Sequence, residues 1–158
     1  MIALFSIKPE YVEKIFSGEK LYEYRKAIFK SNVKKIVIYC TKPVGMIVGE
    51  FEVEDILEDC PKSIWKKTKD HSGVTRSFYD EYFSGREKGY AINIGIKKVY
   101  KSAVNPFEVL DSFTPPQSFV YLDESTYEQF IGMACNGLDG FAENFKNTED
   151  NHHKPLTC

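Results

Sequence analysis

Gly18-Glu19-Lys20-Leu21-Tyr22-Glu23-Tyr24-Arg25 is the stretch on which the reading of this chain turns. Tyr22 and Tyr24 favour a sheet, and simple alternation predicts a strand over residues 20–26. Leu21, Glu23 and Arg25 would share one face, with Lys20, Tyr22 and Tyr24 on the other. Charges carried into a sheet need partners. Two readings of Glu23 and Arg25 stay open. They form an ion pair on a solvated edge, or a carboxylate acceptor and a guanidinium fork converge in a polar pocket, where they read a base edge or hold a phosphate. Lys20 is expected at the mouth of such a pocket.

Working outward from this stretch, Gly18 suits the left-handed end of a helix predicted over residues 9–17. That helix begins at Pro9, where a missing N–H does no harm, and repeats Tyr11, Val12, Ile15 and Phe16 at helical spacing. An apolar run over residues 2–6 precedes it. Downstream, Ile36, Val37, Ile38 and Tyr39 predict a buried strand over residues 34–41, ended by Pro43 and Gly45. A further strand is expected over residues 46–56, with Gly49 marking a bulge or a close approach. Residues 61–69 read as a short helix. Thr75 is an N-cap candidate for another helix, whose Phe78, Tyr79, Tyr82 and Phe83 are expected in the core. Strand character returns over residues 89–98, continuing or bending through Tyr100. A helical turn after Asn105-Pro106, a last strand over 118–122 and a helix over 123–133 complete the pattern. This order lacks the strict strand-helix alternation of a doubly wound sheet, so the expected class is α+β, a curled mixed sheet with helices at its ends.

Size permits one substantial core: 158 residues with 42% apolar content would leave two separate domains short of buried surface. We expect a single domain over residues 1–136. From Gly137 the composition is too polar to offset its ordering entropy, which predicts a mobile tail over residues 137–158. No stretch has the length and apolarity of a bilayer span or a secretory signal, so no membrane association and a cytoplasmic location are expected. Cys40, Cys60, Cys135 and Cys158 are too scattered for a zinc knuckle or disulfide framework, and His152-His153 lacks companion ligands, so neither a metal nor another cofactor is expected. The net charge of −2 argues against indiscriminate coating of nucleic acid. Its distribution is uneven, however: residues 1–50 hold nine Lys/Arg against five acids, and residues 111–158 hold two against eight. A phosphate-bearing ligand would be drawn to the first segment.

The order Gly18-x-Lys20-x-x-Glu23-x-Arg25 after a first helix resembles the signature of the ASCH family. Its frame is similar as well, in Ser6-Ile7-Lys8-Pro9, Ile38-Tyr39-Cys40-Thr41, Ile47-Val48-Gly49-Glu50-Phe51, Tyr90-Ala91-Ile92 and Pro115-Pro116-Gln117-Ser118. The resemblance covers roughly residues 1–122. It implies a PUA-like mixed β-barrel with flanking helices, a cleft beside the signature strand, and binding of RNA, nucleotides or modified nucleosides. The ligand-binding set expected on this basis is Ser6, Lys8, Lys20, Glu23, Arg25, Tyr39, Thr41, Tyr90 and Gln117. Lys8, Lys20 and Arg25 would meet negative charge, Glu23 an amino group, and the tyrosines a base.

One branch of similar proteins hydrolyses acetylcytidine with a lysine, a threonine and a glutamate. Lys20 matches the lysine, whereas Glu23 stands at the threonine position and Asp70-His71-Ser72 occupies the region of the glutamate. That triad is not intact. Other similar proteins are reported as ribonucleases, a chemistry for which Lys20 and Glu23 are the candidate catalytic residues, with Arg25 as a phosphate clamp. The primary expectation is an RNA- or nucleotide-binding module. A hydrolase acting on a modified nucleoside or RNA is the alternative, and a protein-interaction module using the acidic C-terminal third is a third class.

Overall fold

Strand β1 (Ile2–Ile7) runs almost directly into helix α1 (Pro9–Ser17), which starts at the proline as expected and buries Val12 and Ile15. The computed structural model describes residues 1–136, and the tail expected at 137–158 lies outside the described residues. Gly18 closes α1 at φ 86°, a left-handed conformation that a side chain would strain. Its N–H donates to Ile15 O, and the Lys20 N–H reaches back to Lys14 O. This tight return shortens the next strand to β2 (Tyr22–Arg25), rather than residues 20–26. It also carries Lys20 inward. Contrary to the expected position at the mouth, its side chain lies on the floor of the molecule's main cleft, and the residue is only 2% exposed.

β3 (Lys35–Cys40), β4 (Met46–Asp59), β5 (Gly89–Val104) and β6 (Phe119–Leu122) join β1 and β2 in a single sheet of order β2-β5-β4-β3-β1-β6. β1 and β3 pair in parallel, and the remaining ladders are antiparallel. β4 and β5 outrun their apolar stretches because they form a long pair, in register from Ile47 opposite Val104 to Asp59 opposite Gly89. Three register shifts interrupt that pair, and such bulges bend and twist strands. Gly49 lies at one of them. A Cβ there would stand 2.5 Å from Lys98 O and 2.6 Å from the Phe16 ring. The sheet curls into a half-barrel with flanking helices, the α+β, PUA-like architecture expected.

The connection between β4 and β5 holds α2 (Pro61–Thr68), a 3₁₀ turn (Lys69–His71) and α3 (Arg76–Tyr82). Thr75 caps α3 as predicted, its hydroxyl accepting from the Phe78 N–H at 3.1 Å. α4 (Pro106–Val109) and α5 (Glu124–Asn136) follow β5 and β6. Among the described residues, apolar side chains gather in three clusters. The largest, around Phe5, Ile15, Ile36, Ile38, Phe51 and Ile92, lies on the face covered by α1. A second, around Leu4, Val37, Tyr100 and Phe130, lies beneath α5. The third joins Tyr24 and Ala91 to Ile64, Tyr79 and Phe83 of the helical connection, and so fixes that connection against β2 and β5.

Candidate ligand-binding cleft

Because β2 ends the sheet, its outer edge is free to face the opposite end of the curl, where β1 runs and the chain enters β6. Arg25 spans the gap. Its Nη2 donates to Ser6 O at 3.1 Å, its Nη1 to Ser118 O and Oγ at 3.4 and 3.3 Å, and its guanidinium lies 4.5 Å from the Phe5 ring centre. Ser6 Oγ in turn donates to Pro116 O at 2.6 Å. One side chain thus laces two edges that no strand ladder joins.

Glu23, two residues earlier, points to the same side and pairs with Arg25 at 3.2 Å. Both residues are 8% exposed, so of the two readings of this pair the solvated edge is excluded. Glu23 Oε2 and Arg25 Nε are buried and have no hydrogen-bond partner among the described residues. A buried acceptor and donor left open are costly, at about 1–3 kcal/mol each.

Lys20 approaches from the other side of β2. Its Nζ donates to Ser72 O at 2.7 Å and sits 4.7 Å from the Tyr24 ring centre and 5.6 Å from that of Tyr11. Burial pushes its pKa down to about 8, against the opposing pull of the Glu23 charge. Gly73 makes room for it: at φ 66°, a Cβ there would come within 2.6 Å of the Lys20 stem. Tyr24 donates to or accepts from Thr68 Oγ1 at 2.7 Å, and burial raises its pKa to about 12, so it stays neutral.

These groups line a cleft of about 720 Å³ that wraps the free edge of β2. Of the residues expected from the sequence, Ser6, Lys8, Lys20, Glu23, Arg25 and Gln117 are brought together there. Tyr39, Thr41 and Tyr90 are not among the lining residues. Tyr39 shares the face of Val37 and packs against Phe113 at 5.3 Å, in the cluster beneath α5. Thr41 turns the chain after β3, its carbonyl accepting from Val44 N–H. Tyr90 stands opposite Arg25 in one ladder and opposite Glu58 in the other, within the sheet.

The cleft also holds residues that the sequence reading placed elsewhere or passed over: Tyr11, Lys26, Phe78, Tyr82 and Arg86. Phe78 and Tyr82 were expected in the core along with Tyr79 and Phe83. The helix divides them: Tyr79 and Phe83 are buried, whereas Phe78 is 38% exposed and Tyr82 half-buried. Tyr11 to Phe78 is 5.7 Å between ring centres, Phe78 to Tyr82 is 6.1 Å, and Lys26 Nζ lies 4.7 Å over Tyr82. The i, i+4 spacing of Phe78 and Tyr82 signals a shared helix face. Nothing in the sequence shows that this face turns toward β2. Among the described residues no cluster of three or more His, Cys, Asp or Glu could hold a metal ion.

The ASCH domain profile matches residues 5–100. An ASCH domain-containing ribonuclease from Zymomonas mobilis is 26% identical over 136 residues, covering 83% of this chain and 90% of that protein. The crystal structure of the Zymomonas mobilis ASCH protein superposes with a TM-score of 0.78 at 26% identity, covering 84% of this chain and 94% of that one. The large ribosomal subunit protein uL22 of Ureaplasma parvum is 30% identical over 122 residues, which are 75% of this chain but 38% of that protein. With the profile covering more than half of its length and the architecture shared with the Zymomonas protein, the chain belongs to the ASCH domain family.

Proposed function

We propose that residues 1–136 act as one RNA-binding domain whose cleft takes a nucleotide of a single strand, base inward. The observation that carries this reading is Glu23 Oε2, a buried acceptor in the wall of an open cleft to which none of the described residues donates. Such an atom calls for a ligand that donates a hydrogen bond, and the Nε–H of Arg25 beside it calls for one that accepts. The edge of a nucleobase offers both. Tyr11, Phe78 and Tyr82 supply rings for the base, and such stacking is worth about 1–3 kcal/mol per base. Exposed Lys8, Lys26 and Arg86 at the rim suit phosphates, with Ser6 and Gln117 as polar neighbours. The ribonuclease-named Zymomonas relative supports RNA over other phosphate-bearing ligands. Among the described residues no helix is long and apolar enough to cross a membrane, and the proposed setting is cytoplasmic RNA.

Titration of short single-stranded RNAs and of free nucleotides and nucleosides into wild type and Glu23→Gln, at two salt concentrations, tests this. RNA binding that weakens with salt and is lost in the variant is the expected result. Unchanged binding by Glu23→Gln would overturn the assignment of the base to this site. Binding of nucleosides with little salt dependence would replace RNA with a small-molecule ligand in the same cleft.

A hydrolytic reading draws on one specific feature, the buried amine of Lys20 whose pKa of about 8 allows it to exchange a proton near neutral pH. In that reading Lys20 and Glu23 are the catalytic pair and Arg25 clamps the phosphate, or the substrate is a modified nucleoside. Turnover of RNA or acylated nucleosides by wild type, lost in Lys20→Met while binding persists, would establish it.

A further inference from the structure

The cleft does not end at α3. On the far side of this helix lies a second groove of about 520 Å³, whose lining includes Cys60, Lys62, Arg76, Asp80, Arg86 and Glu87. Tyr79 and Arg86 line both cavities. Tyr79 is buried beneath the helix, whereas Arg86 is exposed just beyond its C-terminal end, where the Arg86 N–H donates to Phe83 O at 3.0 Å and holds the loop. The two cavities therefore meet around the end of α3, at a guanidinium.

The second groove has its own cations. Arg76 is held in place, its Nε donating to both carboxylate oxygens of Asp80 at 3.0 and 3.1 Å and its guanidinium lying 5.4 Å from the Trp65 ring centre. A guanidinium bound through Nε keeps its terminal amino groups for another acceptor. Lys62, Arg76 and Arg86 together outweigh Asp80 and Glu87 there. The groove suits a phosphate contact that adds to binding in the main cleft without dominating it.

We propose that a bound strand continues from the cleft around the C-terminal end of α3 into this groove, with its linking phosphate on Arg86 and the next on Arg76 and Lys62. The inference rests on the RNA-binding reading of the cleft and extends it: the ligand is an oligonucleotide of at least two nucleotides, not a free nucleoside. The path bends around a helix of seven residues, so the strand is unpaired there.

The test is a length ladder of single-stranded oligoadenylates and oligouridylates, from one to six nucleotides, titrated into wild type, Arg86→Gln and the double variant Lys62→Gln/Arg76→Gln. Wild type is expected to gain roughly tenfold in affinity as the ligand grows past one nucleotide and then to level off. The double variant keeps wild-type affinity for the mononucleotide, loses most of that gain, and has a salt slope shallower by about 0.7, the amount expected for one neutralised phosphate lost from a single strand. Arg86→Gln weakens every length. A flat ladder in wild type with mononucleotide binding intact, or a double variant that binds all lengths as wild type does, would overturn the path while leaving the cleft reading in place. Failure of wild type to bind any length would remove both.

Discussion

Glu23 on the edge strand β2 and Glu50 on the inner strand β4 are both buried carboxylates beside a cation, yet their surroundings differ in one respect. Both oxygens of Glu50 accept from the Tyr127 hydroxyl, at 3.0 and 2.8 Å, with Lys35 Nζ at 3.6 Å, so the network ties α5 to the sheet. Glu23 has Arg25 at 3.2 Å on one oxygen, and its other oxygen has no partner among the described residues. Both residues are almost fully buried, so exposure does not distinguish them. Satisfaction does. A complete network rigidifies a structure, whereas an incomplete one in a cleft is a place for something else to bind.

The strongest way to sharpen this contrast is to remove the cation at the open site. Arg25→Ala strips Glu23 of its partner and cuts the bonds to Ser6 and Ser118, so a loss of about 3–5 kcal/mol is expected in urea unfolding. Arg25→Lys should recover only part of it, because an ammonium lacks the planar fork. A loss below 1 kcal/mol for Arg25→Ala would show that the lacing is incidental.

Lys20 gives the next effect, through pH. Its folded pKa of about 8 lies below the ordinary value of 10.5, so between these values the unfolded chain holds more protons than the folded one. Stability contributed by Lys20 is therefore fully present above pH 10.5 and is lost as pH falls through 8. Chemical unfolding from pH 8 to 10.5 should show wild type gaining a few kcal/mol relative to Lys20→Met. Parallel curves would mean that Lys20 is hydrated in solution.

The carboxylates themselves can then be exchanged. Glu23→Gln is expected to abolish ligand binding and to weaken the protein by about 1.5–3 kcal/mol, because the amide keeps a contact to Arg25 but removes the charge that faces a buried guanidinium. Glu50→Gln is expected to weaken the protein by about 1–2 kcal/mol through the Tyr127 and Lys35 contacts while leaving binding unchanged. Binding kept in Glu23→Gln, or lost in Glu50→Gln, breaks the comparison. An effect no larger than that of Glu50→Gln, about 1–2 kcal/mol, is expected from Gly73→Ala, which strains a left-handed residue and pushes on the Lys20 stem; a crystal structure of the variant would show that lysine displaced.

Much of the sheet and its helices was legible in local pattern. Pro9 and Gly18 bracket α1, the Thr75 cap opens α3, and alternation put Glu23 and Arg25 on one face. These are short-range properties of backbone geometry, so neighbours along the chain suffice to read them. The ends of β2, β4 and β5 were less legible, because hydrogen bonding to a partner strand extends or truncates a strand regardless of its own apolar run. Tyr39 and Tyr90 have the chemistry for stacking, but a periodicity of two says which residues share a face and not which face lines a cleft.

The sequence by itself therefore determined the class of fold, the family resemblance and the presence of a charged pair on one face of a strand. Only the tertiary structure decided that Lys20 lies on the floor of the cleft, that Arg25 bridges two edges of the sheet, and that Phe78, Tyr82 and Arg86 face β2. The residues that line the cleft beside Lys20, Glu23 and Arg25 are separated from them by up to 98 positions, as Ser118 is from Lys20. Their meeting follows from the curl of a bulged sheet and the docking of Ile64, Tyr79 and Phe83 against Tyr24 and Ala91, which are interactions between distant segments that no local pattern encodes.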